Sequence, residues 1–467
     1  MVFAARRSPF LLALALLLGT MAPGAAQDTL RYSPFGSVTL YRQTPHPSRV
    51  VLFLSGDGGW NLGVVDMARS LSTLDALVVG IDLPRYLQRL ATSAESCSYP
   101  SADFESLSQF VQKHLGFDAY VNPVVIGYSS GATLAYATLA QAPKGTFAGA
   151  ISMGFCSDLT LAKPLCRENE LAWEPDPVKN DYRFRAIAST PAPWVVLHGD
   201  QDQVCSPSAV QDFVGRVQGA RLVLLPGVGH GFSVQKNWLP QFREAFRGLG
   251  QAEGTPRSLP PSVADLPLTE LPAAQEGGGR MAVMVTGDGG WAGIDQQIGE
   301  ALQAAGIPVV GLSSLKYFWQ TRTPDGAAAD LERILGHYLA EWKKDSVLLV
   351  GYSFGAEVLP FMVNRLPAAL RDRVALVALL GPGPTADFTF HVGDWLNLGR
   401  RDSLATLPEV KRMTVHRLLC FHGTEETDSI CSQATPPAVA VELPGGHHFG
   451  GNYQVIVERI RSELEGG

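Results

Sequence analysis

The 467-residue sequence contains the same ordered set of motifs twice. Each copy has an apolar run ending in GDGGW, a G-x-S-x-G motif, an H-G segment with acidic residues before a cysteine, and an L-P-G segment with histidine. The matching segments are 50–60 with 281–291, 124–132 with 348–356, 197–205 with 421–431, and 225–232 with 443–449. Because four matches in one order at similar spacings do not arise by accident, we interpret the chain as a duplicated domain.

A segment of different composition separates the two copies. Residues 250–279 are rich in proline, glycine and alanine, include PRSLPPS and QEGGGR, and show no sustained apolar period. This composition is typical of a linker that proline partly stiffens. We therefore predict a first unit at 28–249 and a second unit at 280–467.

Each unit alternates short apolar runs with amphipathic segments of helical length. The runs of the second unit are rich in valine, leucine and isoleucine, and they are 281–286, 307–312, 346–350, 373–380, 415–421 and 437–443. Segments such as 294–305 and 326–342 lie between them and have the length of helices. Because such runs suit strands buried on both faces, we predict an α/β fold with a mostly parallel sheet flanked by helices in each unit.

Composition excludes several functional classes. Hydrophobic residues make up 46% of the chain and charged residues 17%, which provides apolar cores and excludes wholesale disorder. The 37 basic residues are outnumbered by 44 acidic ones, so nothing points to nucleic acid or to an anionic bilayer surface as a partner. With six cysteines and no C-x-x-C or Cys/His cluster, no metal site is expected.

The first 26 residues have the layout of a secretory signal. Arg6 and Arg7 precede an uninterrupted apolar run at 10–18, and small residues at 24–26 offer a cleavage site before Gln27. An uncleaved membrane anchor is the alternative, although this run is short for a membrane span, and no later apolar stretch approaches the ~20 residues that a span needs. We predict a signal peptide at 1–26 and an exported, periplasmic protein.

In an oxidising compartment the cysteines can pair. Cys420 and Cys431 are the only two in the second half, so we predict that they form a disulfide. The first half contains four more, which allow three pairings: Cys97, Cys156, Cys166 and Cys205. Buried free thiols are the alternative.

Each unit contains a G-x-S-x-G motif in a specific context. A buried-type strand precedes Ser129 and Ser353, and a helix-like segment follows each serine. A strand, a sharp glycine turn and a helix form the nucleophile elbow of α/β-hydrolases, which exposes the serine at the edge of the sheet. We therefore predict two tandem α/β-hydrolase-like domains.

A nucleophilic serine needs a histidine base and an acid that orients it, in the chain order serine, acid, histidine. The first unit offers Ser129, Asp202 and His230, and the aspartate and the histidine each lie in a turn after a predicted strand. In the second unit Ser353 is followed by several acids at 425–428 and by two adjacent histidines.

The acid and the base of the second unit are ambiguous. Counting back from the cysteine favours Asp428, whereas counting forward from the H-G dipeptide gives Glu426; Glu425 is less favoured. Aligning H-G-F with H-H-F favours His447, and counting from the proline gives His448. We prefer Asp428 and His447.

The GDGG turns are predicted to supply oxyanion-hole amides, since glycine lets the backbone approach the developing charge. The candidate residues are Asp57, Gly58 and Ser130 in the first unit, and Gly287, Asp288, Gly289 and Phe354 in the second. The two aspartates either bind a substrate ammonium or cap the following helix. A phosphate or metal loop is disfavoured, because the turns lack both a Lys-Ser/Thr pair and a high density of acids.

The second unit resembles the VirJ family of bacterial virulence proteins. The resemblance lies in TGDGGW, KYFWQTRTP (316–324), GYSFGAEVLPF (351–361), and DSIC with GGHHFGG. The doubled architecture with a signal peptide resembles the long, AcvB-like form of the family, so the resemblance covers essentially the whole mature chain.

The resemblance implies an α/β-hydrolase with Ser353 as its nucleophile. For long members it implies a periplasmic enzyme that cleaves the aminoacyl ester of lysyl- or alanyl-phosphatidylglycerol at the membrane surface. Serine acyl transfer needs no cofactor. Tyr317, Phe318 and Trp319 either line the acyl or lipid side of the site or pack in the core. A general exported carboxylesterase and a non-catalytic periplasmic binding or assembly factor remain alternatives.

Overall fold

In the described part of the chain, each half is built around one large β-sheet. The computed structural model describes residues 28–465 apart from 168, 177–180, 250–258, 260, 274–277, 292, 392–402 and 435. The predicted signal peptide at 1–26 lies outside the described residues. None of the helices in this described part is long and apolar enough to cross a membrane.

The first half contains strands and helices in alternation. Its strands are β1 (Asp28–Tyr32), β2 (Gly36–Tyr41), β3 (Arg49–Leu54), β4 (Ala76–Ile81), β5 (Val124–Tyr128), β6 (Gly149–Met153), β7 (Asp158–Thr160), β8 (Trp173–Asp176), β9 (Asp181–Phe184), β10 (Ser189–Gly199) and β11 (Gln218–Leu225). Its helices are α1 (Leu62–Ser72), α2 (Leu83–Ala91), α3 (Pro100–His114), α4 (Ser130–Gln141), α5 (Pro207–Val214) and α6 (Leu239–Leu249).

The second half repeats this alternation. Its strands are β12 (Leu268–Leu271), β13 (Arg280–Val285), β14 (Val309–Leu312), β15 (Ser346–Tyr352), β16 (Val374–Leu380), β17 (Thr385–Ala386), β18 (Leu404–Ala405), β19 (Leu418–Gly423) and β20 (Val439–Leu443). Its helices are α7 (Gly293–Ala304), α8 (Ser314–Tyr317), α9 (Pro324–Glu341), α10 (Phe354–Asn364), α11 (Ala368–Arg371), α12 (Thr406–Lys411) and α13 (Gln454–Glu465).

The two sheets share one topology. Among the described residues the first has the order β1-β2-β4-β3-β5-β6-β10-β11 and the second β12-β14-β13-β15-β16-β19-β20. From β4 and β14 onward the strands of each sheet are parallel, and they occur in the same order. The central strands are buried almost throughout, because helices cover both faces of each sheet. The predicted fold class, two tandem α/β-hydrolase-like domains, is confirmed.

The predicted linker at 250–279 contains part of the second sheet. Strand β12 lies inside this segment and pairs antiparallel with β14, from Leu268 opposite Leu312 to Leu271 opposite Val309. The first sheet has an antiparallel strand at the equivalent edge, where β2 pairs with β4. The second sheet therefore starts before the predicted boundary at 280. The search for apolar runs missed this edge strand because LTEL has only four residues and two of them are polar.

The three aromatic residues of the KYFWQ segment are buried rather than exposed at a lipid-facing surface. Tyr317 and Phe318 are 1% and 0% exposed, and they pack in the core of the second unit. Trp319, at 2% exposed, belongs to the core of the first unit. Its indole N–H donates to the carbonyl oxygen of Phe117 at 2.7 Å, and its ring lies 5.3 Å from that of Tyr120. The core-packing alternative is therefore the right one for this segment.

The six cysteines form three disulfides, each within one half of the chain. Cys420 is bonded to Cys431, and the four cysteines of the first unit pair as Cys97–Cys166 and Cys156–Cys205. Cys156–Cys205 holds the loop that follows β10, and Cys420–Cys431 holds the loop that follows β19.

Candidate active site

Both predicted serines lie at a strained turn between a strand and a helix. Ser129, between β5 and α4, has φ 55° and ψ −124°, and Ser353, between β15 and α10, has φ 51° and ψ −118°. A serine rarely adopts a positive φ, so the surrounding structure must enforce it. The Ser129 N–H donates to Met153 and the Ser353 N–H to Leu380, both carbonyl oxygens at 2.8 Å. The neighbouring strand thus fixes each elbow.

The glycines of the motif allow the helix to start against its strand. An added Cβ on Gly127 would lie 1.9 Å from the Gly131 carbonyl oxygen. On Gly351 it would lie 2.6 Å from the Gly355 carbonyl oxygen. No side chain fits at either position, so the G-x-S-x-G spacing is a steric requirement of this turn.

In the first unit the structure brings Ser129, His230 and Asp202 together. The Ser129 Oγ lies 2.9 Å from His230 Nε2, and His230 Nδ1 lies 2.8 Å from Asp202 Oδ2. The carboxylate is buried, whereas the histidine side chain is 18% exposed. This is the geometry of a nucleophile with a base that an acid orients.

The Asp202 carboxylate is stabilised in its ionised form. Burial works to raise its pKa, but hydrogen bonds from the Cys205 N–H, from His230 and from the Val204 N–H together hold the pKa below the ordinary value. Behind it, burial lowers the pKa of His198, whose Nε2 lies 3.0 Å from the Cys205 carbonyl oxygen. Asp202 therefore stays negative beside His230 and can stabilise a positively charged imidazole.

In the second unit the structure brings Ser353, His447 and Glu426 together. The Ser353 Oγ lies 2.8 Å from His447 Nε2, and His447 Nδ1 lies 2.5 Å from Glu426 Oε1. Glu426 Oε2 accepts the Gly423 N–H at 2.6 Å. Burial opposes ionisation of Glu426, but the bonds from His447 and Gly423 outweigh it and lower the pKa. The two units thus carry the same constellation with acids of different length.

The preference for Asp428 is wrong. Asp428 is exposed, and the carboxylate on His447 belongs to Glu426. The acid sits three residues after the last glycine of its strand in both units, where the N–H of Asp202 or Glu426 donates to the carbonyl of Gly199 or Gly423. Counting back from the cysteine fails because the second loop has two more residues before its cysteine.

His448 lies beside the site rather than in it. Its Nδ1 is 3.4 Å from the Tyr352 hydroxyl, whereas His447 occupies the position on Ser353. The alignment of H-G-F with H-H-F therefore identifies the histidine that contacts the serine.

Sequence reasoning missed a glycine that faces each histidine. Gly154 and Gly381 follow β6 and β16 with φ 65° and φ 60°. An added Cβ would lie 3.3 Å from His230 Cε1 at Gly154, and 2.8 Å from His447 Cε1 at Gly381. The signal was a glycine that ends equivalent strands in both copies.

The GDGG turns lie against the elbows. In each turn the N–H of the last glycine donates to the carbonyl oxygen three residues earlier, Gly59 to Gly56 at 3.0 Å and Gly290 to Gly287 at 3.1 Å. An added Cβ on Gly56 would contact Ser129 Cβ at 3.0 Å. The turns therefore bring the predicted oxyanion amides next to the nucleophiles.

The aspartates of these turns are exposed. Asp57 accepts a hydrogen bond from the Ser130 hydroxyl, and the N-cap residue of helix α1 is Asn61, with no side-chain hydrogen bond to the helix. The helix-capping alternative is therefore wrong for Asp57. Asp288, like Asp57, is exposed, and Phe354 replaces the serine that Asp57 contacts.

A cleft of about 590 Å³ opens beside Ser129. The GDGG turn forms one side of it, and apolar side chains from α1 and from the segment after His230 form another. Its apolar lining includes Val64, Met67, Phe232 and Trp238. The first unit thus offers a cleft of mixed polar and apolar lining next to its nucleophile, with Asp57 and Asp66 among its polar residues.

One group of described residues has metal-ligand atoms within reach of one another. Asp202, Cys205 and His230 place such atoms within 4.8 Å. The Cys205 sulfur is bonded to Cys156 and provides no thiolate, and the other two residues bond each other in the triad. The arrangement fits proton transfer rather than a cation.

Comparisons with known proteins agree with this geometry at the level of the family. The family model described as bacterial virulence protein (VirJ) matches residues 48–156 and 279–466, more than half of the chain. No curated protein matches the chain.

Solved structures that resemble the chain each cover about half of it. A serine hydrolase homologue from Coxiella burnetii has 18% identity and a TM-score of 0.33, and the match covers 48% of this chain and 97% of that chain. A serine hydrolase without a lid from Xanthomonas campestris has 21% identity and a TM-score of 0.31, covering 48% and 93%. Est1E from Butyrivibrio proteoclasticus has 13% identity and a TM-score of 0.31, covering 48% and 98%.

The segments matched by the family model contain both serine elbows, both GDGG turns and, in the second unit, the acid and the histidine as well. The chain belongs to the VirJ family of bacterial virulence proteins.

Proposed function

We propose that this protein is an exported serine esterase that cleaves the aminoacyl ester of lysyl- or alanyl-phosphatidylglycerol, in the periplasm and at the membrane surface. The esterase activity is supported by one observation. In both units the serine of a nucleophile elbow is hydrogen-bonded to a histidine, and this histidine is hydrogen-bonded to an acid. The aminoacyl lipid is supported by the family resemblance, and export by the signal-like composition of residues 1–26.

The reaction begins with attack of the Ser353 Oγ on the ester carbonyl carbon. His447 Nε2, 2.8 Å away, accepts the serine proton, and the ionised Glu426 stabilises the imidazolium through Nδ1. The charge that develops on the carbonyl oxygen faces the amides of Asp288, Gly289 and Phe354. Preorganised amides of this kind lower the barrier because they need no reorientation when the charge forms.

Collapse of the tetrahedral intermediate breaks the ester C–O bond. His447 returns its proton to the departing oxygen of phosphatidylglycerol, and the amino acid stays bonded to Ser353 as an acyl ester. A water molecule, deprotonated by His447, then attacks this ester and releases the free amino acid with the serine restored. The first unit performs the same steps with Ser129, His230 and Asp202.

One observation favours a second activity in the first unit. One wall of the cleft beside Ser129 is formed by apolar side chains, and Asp57, which also lines the cleft, accepts a hydrogen bond from the Ser130 hydroxyl. Such a pocket suits a neutral acyl group, which favours general carboxylesterase activity for this unit.

The test is release of free amino acid from purified lysyl- and alanyl-phosphatidylglycerol in mixed micelles. The mature protein is compared with Ser353→Ala, Ser129→Ala and the double variant, and a water-soluble neutral ester is assayed in parallel. Release that depends on a triad serine supports the proposal. Cleavage of the neutral ester alone would support an esterase but contradict the lipid substrate. Inactivity on every ester would favour a binding or assembly factor.

A further inference from the structure

The wall of the active site differs between the units at one buried position. Val64 of α1 and Asp295 of α7 each lie four residues after the tryptophan of the GDGGW turn, and each is 3% exposed. Because the strands and helices around them correspond, the two side chains occupy equivalent places. An apolar residue in one copy is thus a carboxyl group in the other.

This position lines the nucleophile's cleft in the first unit and contacts the oxyanion turn in the second. In the first unit Val64 lines the cleft together with Tyr128 and Ser129. In the second unit both carboxyl oxygens of Asp295 lie 3.3 Å from the Gly287 nitrogen, at the start of the oxyanion turn. An added Cβ on Gly287 would lie 3.0 Å from the Tyr352 ring, so the carboxyl is close to the residue before Ser353.

Asp295 is buried, and among the described residues no basic side chain pairs with its carboxyl group. Its hydrogen bonds come from backbone N–H groups. Burial raises its pKa well above the ordinary value and the nearby Asp288 adds to this, although the Gly287 N–H acts in the opposite direction. A lone ionised carboxylate is unfavourable at such a site, and an arriving cation would stabilise it. The exposed Asp57 and Asp288 are weaker candidates, because water and salt screen their charges.

The chemistry of an aminoacyl ester places a cation at this distance. Its α-nitrogen is two bonds from the carbonyl carbon, about 2.5 Å away in space. A group that binds the ammonium must therefore lie close in space to the oxyanion turn, and Asp295 contacts this turn at Gly287.

We propose that Asp295 binds the α-ammonium group of the substrate and makes the second unit selective for aminoacyl esters. The first unit, with Val64 at this position, accepts neutral acyl groups. This inference rests on the proposed function, since it assumes that the Ser353 site cleaves esters.

The test compares alanyl and propionyl esters of glycerol, which differ only in the ammonium group. The full chain carries Ser129→Ala, so that only the second site reacts, and it is compared with the same chain carrying Asp295→Asn or Asp295→Val. We expect kcat/KM for the alanyl ester to fall about 10- to 100-fold, the range for loss of a hydrogen bond between charged groups. The value for the propionyl ester is expected to stay within about threefold.

The outcomes separate the two proposals. An equal fall for both esters would overturn the inference, because it would give Asp295 a purely structural role at the turn, and the esterase would stand. Cleavage of neither ester by the Ser129→Ala parent would overturn the proposed function of the second unit itself. The valine variant introduces the residue found at this position in the first unit, so the test does not depend on the folding of the asparagine variant. The melting temperatures of both variants are compared with that of the parent.

Discussion

The two triads of this chain have the same arrangement of catalytic groups but lie in different surroundings. The serines have nearly the same backbone angles, and both histidines lie within 3 Å of their serine oxygens. The surroundings differ: the acid is Asp202 in one unit and Glu426 in the other, and the histidine side chain is 18% exposed in the first and 40% in the second. The duplication has kept the reacting groups and changed what faces the substrate.

The largest expected effect is loss of the second nucleophile. We predict that Ser353→Ala lowers hydrolysis of aminoacyl-phosphatidylglycerol by at least about 10³-fold, because the covalent route is lost. Ser129→Ala is expected to reduce it at most partially. The measurement is free amino acid released per unit time from lipid micelles, and the reverse pattern would assign the lipid activity to the first unit.

The acid of the second triad can be tested by a pair of neighbouring substitutions. Glu426→Gln removes the charge that stabilises His447, and we expect kcat to fall about 10²- to 10⁴-fold. Asp428→Asn, in the same loop but exposed, is the matched control and should change kcat less than about twofold. Steady-state kinetics on a soluble ester in the Ser129→Ala background gives both values, and equal losses would contradict the assignment.

The glycines that face the histidines should respond unequally. Gly381→Ala places a methyl group 2.8 Å from the His447 ring at φ 60°, whereas Gly154→Ala leaves 3.3 Å to the His230 ring. We expect about a tenfold loss of kcat at the second site and a smaller loss at the first, with about 1–2 kcal/mol of destabilisation in each from the positive φ. Each substitution is measured in a chain that lacks the other nucleophile, with thermal melts alongside.

The smallest expected effect concerns the contact between the units. Burial, helped by the charge of Asp288 across the contact, raises the pKa of Glu105 on α3 from 4.5 to about 8. The folded protein therefore favours the protonated form, and the free energy of unfolding contributed by this group falls as pH rises from about 5 to about 8. We predict that Glu105→Gln flattens this part of the melting-temperature profile.

The exposed Glu244 on α6 offers the control, since Glu244→Gln should leave the profile unchanged. A wild-type profile that matches that of Glu105→Gln throughout would mean that Glu105 is not buried against the second unit.

The sequence predicted those features that depend on local pattern. Apolar runs identified the parallel strands, and motif order identified both serines, His230, His447 and Asp202 as candidates. These features carry their own signal because a buried strand or a tight glycine turn restricts which residues can occupy it.

Features that depend on three-dimensional packing were missed. The choice of Glu426 over Asp428 follows from a turn that starts at Gly423, which a count from the cysteine cannot register. The placement of Trp319 in the other unit's core depends on how the units meet. Asp295 drew no notice because a single acid in an amphipathic helix usually faces solvent.

The tryptophan shared between the units has a consequence for evolution and engineering alike. Since Trp319 belongs to the second unit's chain and the first unit's core, opening either unit removes buried surface from the other. We therefore expect the two units to unfold together in one cooperative transition rather than independently. A substitution that stabilises either unit is then expected to raise the melting temperature of the whole chain. Destabilising substitutions at one active site can therefore be tolerated when the other unit is stable.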